Sequence, residues 1–405
     1  MVAVFTYAYN AERTLRRTVE SVLNQTYTEW VYYLCDNGST EDNTREIIEE
    51  YASTDSRIIP IYIDKNDPYE ASRIGFTKIF ESDAEYFCMV DADDEYYPEF
   101  LEKTLAFMNT YDLDIAACGS DFIDVETMRL CNKRLSNGII ILENRLSYNN
   151  NFARSHQFMR TIWGKLYRAS LFQNFDYISD EWEYYQVAYG GDTIFFMKAA
   201  LYAQKVGVLN EILHKYYVSS KSVSYKWKPL RPQADMTLYD YALEFLLQKA
   251  GFVSEYNKWF LDRVYLNAID DTLNVLFLSD LNHEQRFSVL RDIFSCKHTI
   301  SAFTNERVET ELKKNMLDKI WHTIIKHTEM QQLEDGIWVG LNLAALRGDE
   351  DAYVQFSLLN IESLIKRGLI SEAESELTEW GQMLQDCQEL ERLTYLLQKK
   401  KSKMN

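Results

Sequence analysis

At 405 residues, with 46% hydrophobic and 14% aromatic side chains, the chain is too long for a single domain of about 100–200 residues and too apolar for a disordered polymer. Its 62 acidic and 43 basic residues leave a formal net charge of −19, which repels phosphate backbones and argues against nucleic acid as a partner. Six scattered cysteines without a C-x-x-C pair, no apolar run near the roughly 18 residues of a membrane span, and a Met1 that opens straight into a strand-like run together read as an untargeted chain in a reducing cytoplasm.

The first 225 residues alternate strand and helix. Val2-Ala-Val-Phe-Thr is strand-like, and Asn10 is placed to cap a helix whose Leu15, Val19, Val22 and Leu23 follow helical spacing. A strand follows from Trp30 to Cys35, ending at Asp36 and the polar turn Asn37-Gly-Ser-Thr. Then come helix 44–51, strand 58–63, helix 71–80 and strand 86–90, which ends at Asp91. This order predicts a mostly parallel sheet with right-handed crossovers and ligands beyond the carboxyl ends of its strands.

The second half is different in kind. All five prolines lie at or before Pro232, and from Leu238 onward helix formers recur at helical spacing. We expect an all-helical domain over 229–405, built of helical hairpins with connections marked by Gly336, Gly348, Gly368 and Gly381. No named repeat period fits. The lysines 399, 400, 401 and 403 read as a solvated end, with peripheral contact to anionic lipid at the inner membrane face as a secondary reading. Trp321, Trp338 and Trp380 suggest packing on the first domain or an apolar face for homo-oligomerisation, of which the second is favoured.

Chemistry concentrates in the loops after the first, second and fourth strands. Asp91-Ala92-Asp93-Asp94-Glu95 crowds carboxylates at one strand end, and alternating hard oxygens suit Mg²⁺ or Mn²⁺ with sites left for phosphate oxygens. Taken alone, the same run is an acidic turn before a helix.

Its neighbours change that reading. Tyr9-Asn-Ala-Glu, Cys35-Asp-Asn-Gly-Ser-Thr-Glu-Asp-Asn-Thr and Val90-Asp-Ala-Asp-Asp, in this order and spacing, resemble the bacterial-type family 2 glycosyltransferases of the GT-A fold. The resemblance covers roughly the first 225 residues; the expected catalytic domain is 1–228. It implies transfer of a hexose or N-acetylhexosamine from a UDP-sugar to a hydroxyl of a glycan, a wall or capsule polymer, or a glycoprotein. It also implies a divalent metal and inversion at the anomeric carbon. Carried over by position, it sets Tyr7, Tyr9 and Glu12 around base and ribose, Asp36 and Asn37 at the base edge, and Arg73 near the donor. Asp91 and Ala92 then face ribose and sugar, and Asp91 and Asp93 the metal. Asn37 stands where the family usually has an acid. Arg73 reads equally as a helix-surface ion pair.

Trp163-Gly-Lys-Leu-Tyr-Arg resembles the segment beneath the donor sugar, where the indole stacks on a sugar face or, on the other reading, fills core, and Lys165 supports fold or phosphates. Tyr189-Gly-Gly-Asp-Thr resembles the segment bearing the catalytic base, which is Asp192; a helix-capping role is the alternative. The segment from His214 to Ser224 falls where the family closes over the diphosphate. There Tyr217 and Ser219 replace the frequent Arg and His, so that Lys221, Lys226 or His214 is left to supply positive charge. Two rivals remain in view. One is a sugar-phosphate nucleotidyltransferase, disfavoured by the lack of glycine and lysine after the first strand; the other is a catalytically weak, transferase-like assembly subunit.

Overall fold

A computed structural model describes residues 1–174, 190–219, 226–326, 333–384 and 387–404. The chain forms two compact units, Met1–Lys258 and Trp259–Asn405.

In the first unit β1 (Val2–Ala8), β2 (Trp30–Asn37), β3 (Ile58–Ile63) and β4 (Tyr86–Met89) lie in the order β3-β2-β1-β4, all parallel. Their crossovers are α1 (Glu12–Leu23), α2 (Thr44–Thr54) and α3 (Pro68–Phe80). Helix α3 begins earlier than the apolar pattern suggests. Asp67 accepts from the Glu70 amide at 3.1 Å and Pro68, at the first turn, has no amide to satisfy.

Helix α1 buries Leu15, Val19 and Val22 as its spacing requires. Asn10 does not cap it. Its backbone is left-handed, at φ 49°, and its Oδ1 accepts from the Thr40 and Glu41 amides at 3.1 and 3.3 Å. The free amides of Ala11 and Glu12 are met from the next loop, by Thr44 Oγ1 at 2.7 Å and Asp42 Oδ2 at 2.9 Å. The loops after β1 and β2 therefore hold each other.

Beyond β4 the sheet changes direction. β9 (Lys165–Arg168) pairs antiparallel with β4 and with β6 (Ile115–Asp124), and β10 (Val206–Val218) runs parallel to β6. β5 (Glu95–Tyr96), β7 (Leu130–Arg134) and β8 (Ile140–Leu142) add antiparallel margins. The sheet is thus mixed, with the expected parallel character in its first four strands and in the β6–β10 pair. Helices α4 (Phe100–Tyr111), α5 (Arg145–Met159), α6 (Gly191–Tyr202) and α7 (Arg231–Ala250) complete the unit. Because α7 packs on α5 and α6, this compact unit runs past residue 228.

An aromatic cluster anchors α6 to the sheet. Phe195 stacks on Phe76 of α3 at 5.2 Å and on Phe172 at 5.4 Å, while Phe87 of β4 stacks on Tyr167 of β9 at 5.0 Å. Gly190, at φ 85°, turns the chain into α6, and a side chain there would strike Leu238. Close packing by α7 and the left-handed backbone account for that glycine.

The second unit is helical. The division falls within α8 (Glu255–Phe277), followed by α9 (His283–Ser295), α10 (Lys297–Thr304), α11 (Thr310–Lys326), α12 (Glu334–Arg347), α13 (Glu350–Arg367), α14 (Ile370–Met383) and α15 (Gln388–Met404). Gly348 and Gly368 end α12 and α13 in the left-handed conformation, at φ 67° and 82°. Gly336 and Gly381, expected at connections, lie inside helices. Trp321 meets Phe356 edge-on at 5.6 Å, Trp380 lies 6.1 Å from Tyr353, and Arg291 covers Trp338 at 5.8 Å, so these indoles are engaged within their own unit. Among the described residues no helix is long and apolar enough to cross a membrane. The six cysteines are free.

Gly75 of α3 faces the Phe5 ring so closely that an added methyl would overlap it. Gly75→Ala is expected to cost about 1–3 kcal/mol of stability through overpacking, despite alanine's better helix propensity. Chemical denaturation checks this; an unchanged midpoint would show that β1 and α3 yield without cost.

Candidate functional site

The carboxylate run lies where β4 ends. Ligand atoms of Asp91, Asp93 and Asp94 fall within 4.8 Å of one another. Asp93 is exposed, Asp91 half-buried and Asp94 fully buried. Burial, then the nearby charges of Asp192 and Asp93, raise Asp91 well above the usual carboxylate range. Asp94 is raised by burial and by Asp91 and Asp93, against which the Tyr217 amide and Arg17 act. Three hard oxygen donors sharing one small volume and repelling one another fit a divalent cation such as Mg²⁺ or Mn²⁺.

The turn is gripped from two sides. From α1, Arg17 donates to the Asp93 carbonyl at 2.6 Å and Thr18 to the Asp94 carbonyl at 2.8 Å. From β10, the Tyr217 amide donates to Asp94 Oδ1 at 2.9 Å, and His214 Nε2 lies 3.5 Å from Asp94 Oδ2. Arg17 also lies 3.5 Å over the Tyr217 ring and 3.3 Å from Glu95. Sequence reasoning missed Asp94 and Arg17. Asp94 belongs to the recognised acidic run, but the family resemblance singled out Asp91 and Asp93; Arg17 carries no local signal.

Asp192, on the first turn of α6, comes from a distant part of the chain to the same place. Its charge and that of Asp91 act on each other and on Tyr7, whose phenol is raised by burial and then by Asp91 and Asp192. Asp192 itself is raised by burial, opposed by a backbone hydrogen bond from Ile162 and by Lys165. The helix start does not win here: burial outweighs it, giving the carboxylate a higher proton affinity than an exposed aspartate.

The other expected residues are placed as follows. Tyr9 is exposed, and Ala92 is half-buried against the core. Glu12 accepts from Asn43 Nδ2 at 2.7 Å. Asp36 is buried and accepts from the Ser39 amide at 3.0 Å. Asn37 is wholly buried: its Oδ1 accepts from the Asp67 amide at 2.9 Å and its Nδ2 donates to Asn66 Oδ1 at 3.0 Å. The amide is thereby turned to the loop between β3 and α3. Arg73 forks onto Glu70 with two 2.6 Å bonds, the helix-surface ion pair.

Trp163 is 6% exposed and lies flat on His214 and Tyr216, at 4.5 and 5.1 Å. Lys165 is buried and donates to Thr161 Oγ1 at 2.9 Å and to the Trp163 carbonyl at 3.3 Å, which ties down the 161–163 loop. His214 is wholly buried, with Nδ1 3.2 Å from Ser120 Oγ, and burial followed by the charges of Arg134 and Lys165 holds it well below its usual range. It is neutral, so it supplies no positive charge to a diphosphate. Lys226 is exposed. Lys221 and Tyr189 lie outside the described residues.

Asn37→Ala removes the acceptor of a buried amide and should cost about 1–3 kcal/mol of stability. Thermal melting together with UDP calorimetry checks it: weakened UDP binding at an unchanged melting temperature would return Asn37 to the base edge.

Residues 3–175 match the family described as Glycosyl transferase family 2. Among curated relatives, the putative teichuronic acid biosynthesis glycosyltransferase TuaG of Bacillus subtilis is 36% identical over 109 residues, 27% of this chain and 42% of that protein. The glycosyltransferase GlyA of Streptococcus pneumoniae is 28% identical over 235 residues, 56% of this chain and 32% of that protein. The chain thus spans less than half the length of either relative. Among solved structures, S. aureus TarS 1–349 in complex with UDP superimposes with a TM-score of 0.54 at 18% identity, covering 91% of each chain. The same protein with UDP-GlcNAc gives 0.53 at 17%, covering 91% of this chain and 92% of that one. At such identities the likeness concerns the fold.

Proposed function

Residues 3–175 belong to glycosyl transferase family 2, and from this premise we propose that the protein transfers a hexose or N-acetylhexosamine from a UDP-sugar to a hydroxyl of a glycan, wall or capsule polymer, or glycoprotein. The observation that supports the reading is the approach of the Asp192 carboxylate to Asp91 and Tyr7, beside a metal-type carboxylate cluster. UDP as the nucleotide is supported by the TarS complexes with UDP and with UDP-GlcNAc.

Asp192 takes the proton of the acceptor hydroxyl as that oxygen attacks the anomeric carbon from the face opposite the diphosphate. The bond to the leaving oxygen breaks and its electron pair departs with UDP, inverting the configuration. Burial raises the proton affinity of Asp192, and Lys165 keeps its charged form accessible. Asp91, Asp93 and Asp94 would hold Mg²⁺ or Mn²⁺, which when bound neutralises charge on the departing diphosphate. Arg17 and Thr18 keep the carboxylate turn in place. Action in the cytoplasm belongs to the same reading and is supported by the six free thiols.

Calorimetry should find UDP binding that needs Mn²⁺ or Mg²⁺ and is lost in Asp93→Ala. Asp192→Asn should keep UDP affinity while turnover falls by on the order of 10²–10⁴-fold, with product NMR showing the inverted anomer. UDP binding indifferent to EDTA, or near-normal turnover in Asp192→Asn, would remove the mechanism.

Self-association through the helical unit is part of this proposal. Its support is an open groove lined by Leu377, Leu384, Leu390 and Tyr395, beside exposed Met383. Truncation after Lys258 should lower the sedimentation mass by more than the deleted residues, and a monomeric full chain at micromolar concentration would contradict it.

A further inference from the structure

The first unit pairs its partly buried arginines with acids. Arg17, Arg57, Arg73 and Arg168 each lie within ion-pair distance of a carboxylate. Half-buried Arg134 departs from this: among the described residues it meets no carboxylate, and neither does the exposed Arg160.

These cations converge on the loop that precedes β9. Arg134, the last residue of β7, sets Nη1 3.4 Å from Thr161 Oγ1, and the same hydroxyl accepts from Lys165 Nζ at 2.9 Å. One hydroxyl thus joins the two side chains, and burial followed by the charge of Arg134 holds Lys165 well below its usual range. The Arg134 guanidinium lies 4.9 Å from the Trp163 ring and 5.3 Å from Phe122, so its planar fork is braced by aromatic surface. Arg160 is exposed, and its carbonyl accepts from Thr193 Oγ1 at 3.3 Å, next in the chain to Asp192. Burial and then the charge of Arg160 push Arg134 down to about 10, while burial and Arg160 push His156 down to about 3. Like charges crowded with no carboxylate beside them among the described residues are costly, and an oxyanion would relieve them with charge-assisted hydrogen bonds.

The position separates this cluster from the donor end. At the donor end the cation is Arg17, which donates to the Asp93 carbonyl at 2.6 Å, whereas the Arg160 carbonyl accepts from Thr193, beside Asp192, at 3.3 Å. We propose that Arg134 and Arg160, backed by Lys165, form an acceptor subsite for an oxyanion, a phosphate or carboxylate carried near the hydroxyl that Asp192 deprotonates. This rests on the transferase reading, and it narrows the acceptor to an anionic one.

The test is calorimetry on the full chain saturated with UDP and Mg²⁺, titrated with glycerol 1-phosphate in one arm and glucuronate in the other. Saturable binding in the phosphate arm assigns a phosphorylated acceptor, and in the glucuronate arm a uronic one. Arg134→Ala and the exposed Arg160→Ala should each weaken that binding about tenfold or more, with UDP affinity unchanged within about twofold and Arg134→Lys intermediate. Absence of binding in both arms, insensitivity to both alanine variants, or displacement of the anion by UDP would overturn the subsite. The last result would hand these cations to the donor diphosphate. Failure of UDP itself to bind would overturn the transferase reading together with the subsite, and is distinct from the other outcomes.

Discussion

Repulsion among the carboxylates at the end of β4 is the constraint on which the rest of the first unit depends. Asp91, Asp93 and Asp94 offer ligand atoms within 4.8 Å of one another, and Asp192 adds its charge from α6. Two unit charges about 4 Å apart repel by about 4 kcal/mol at an effective dielectric constant of about 20. A turn carrying such a load opens unless it is held. Arg17 and Thr18 hold its carbonyls from α1, and the Tyr217 amide holds Asp94 from β10, each a bond worth on the order of 1–3 kcal/mol. The clasp fixes the geometry while leaving Asp93 open to solvent and the cluster short of positive charge.

The reversal of the sheet at β9 brings the loop that precedes it to that cluster. With β9 antiparallel to both β4 and β6, the 160–165 loop lies at the carboxyl end of β4, and Thr193 at the start of α6 donates to the Arg160 carbonyl at 3.3 Å. Aromatic stacking then locks the arrangement, since Phe195 is held between Phe76 and Phe172, and Trp163 lies on His214 and Tyr216. Residues resembling sugar-facing or phosphate-facing groups turn out to brace this framework: Trp163 and Lys165 stiffen the loop, and His214 stands neutral behind Asp94.

How much was legible depends on the range of each interaction. The apolar spacing of Leu15, Val19 and Val22 is local, and so α1 was readable to within its cap. The cap was not, because the partners of Ala11 and Glu12 come from residues 42 and 44, across a loop that no periodicity links to the helix. The acidic run after a strand announced the metal-type cluster. Its third member, Asp94, was hidden because its buried partners sit on β10, more than a hundred residues away in the chain.

Taken by itself, the sequence determined what short-range patterning can determine: the alternation of strands and helices up to β4, the helical second half, the carboxylates at a strand end, and the glycine-flanked aspartate at a helix start. These follow from periodicity, turn chemistry and residue type, which act over a few positions. Only the tertiary structure decided which of the polar groups are spent on the fold. Asn37 faces Asn66 and Asp67, Arg73 faces Glu70, and Arg134 faces Lys165 across one hydroxyl. The reason is that a side chain's partner is set by the packing of elements far apart in the chain, and burial, which sets the electrostatic cost of each charge, exists only once those elements have come together.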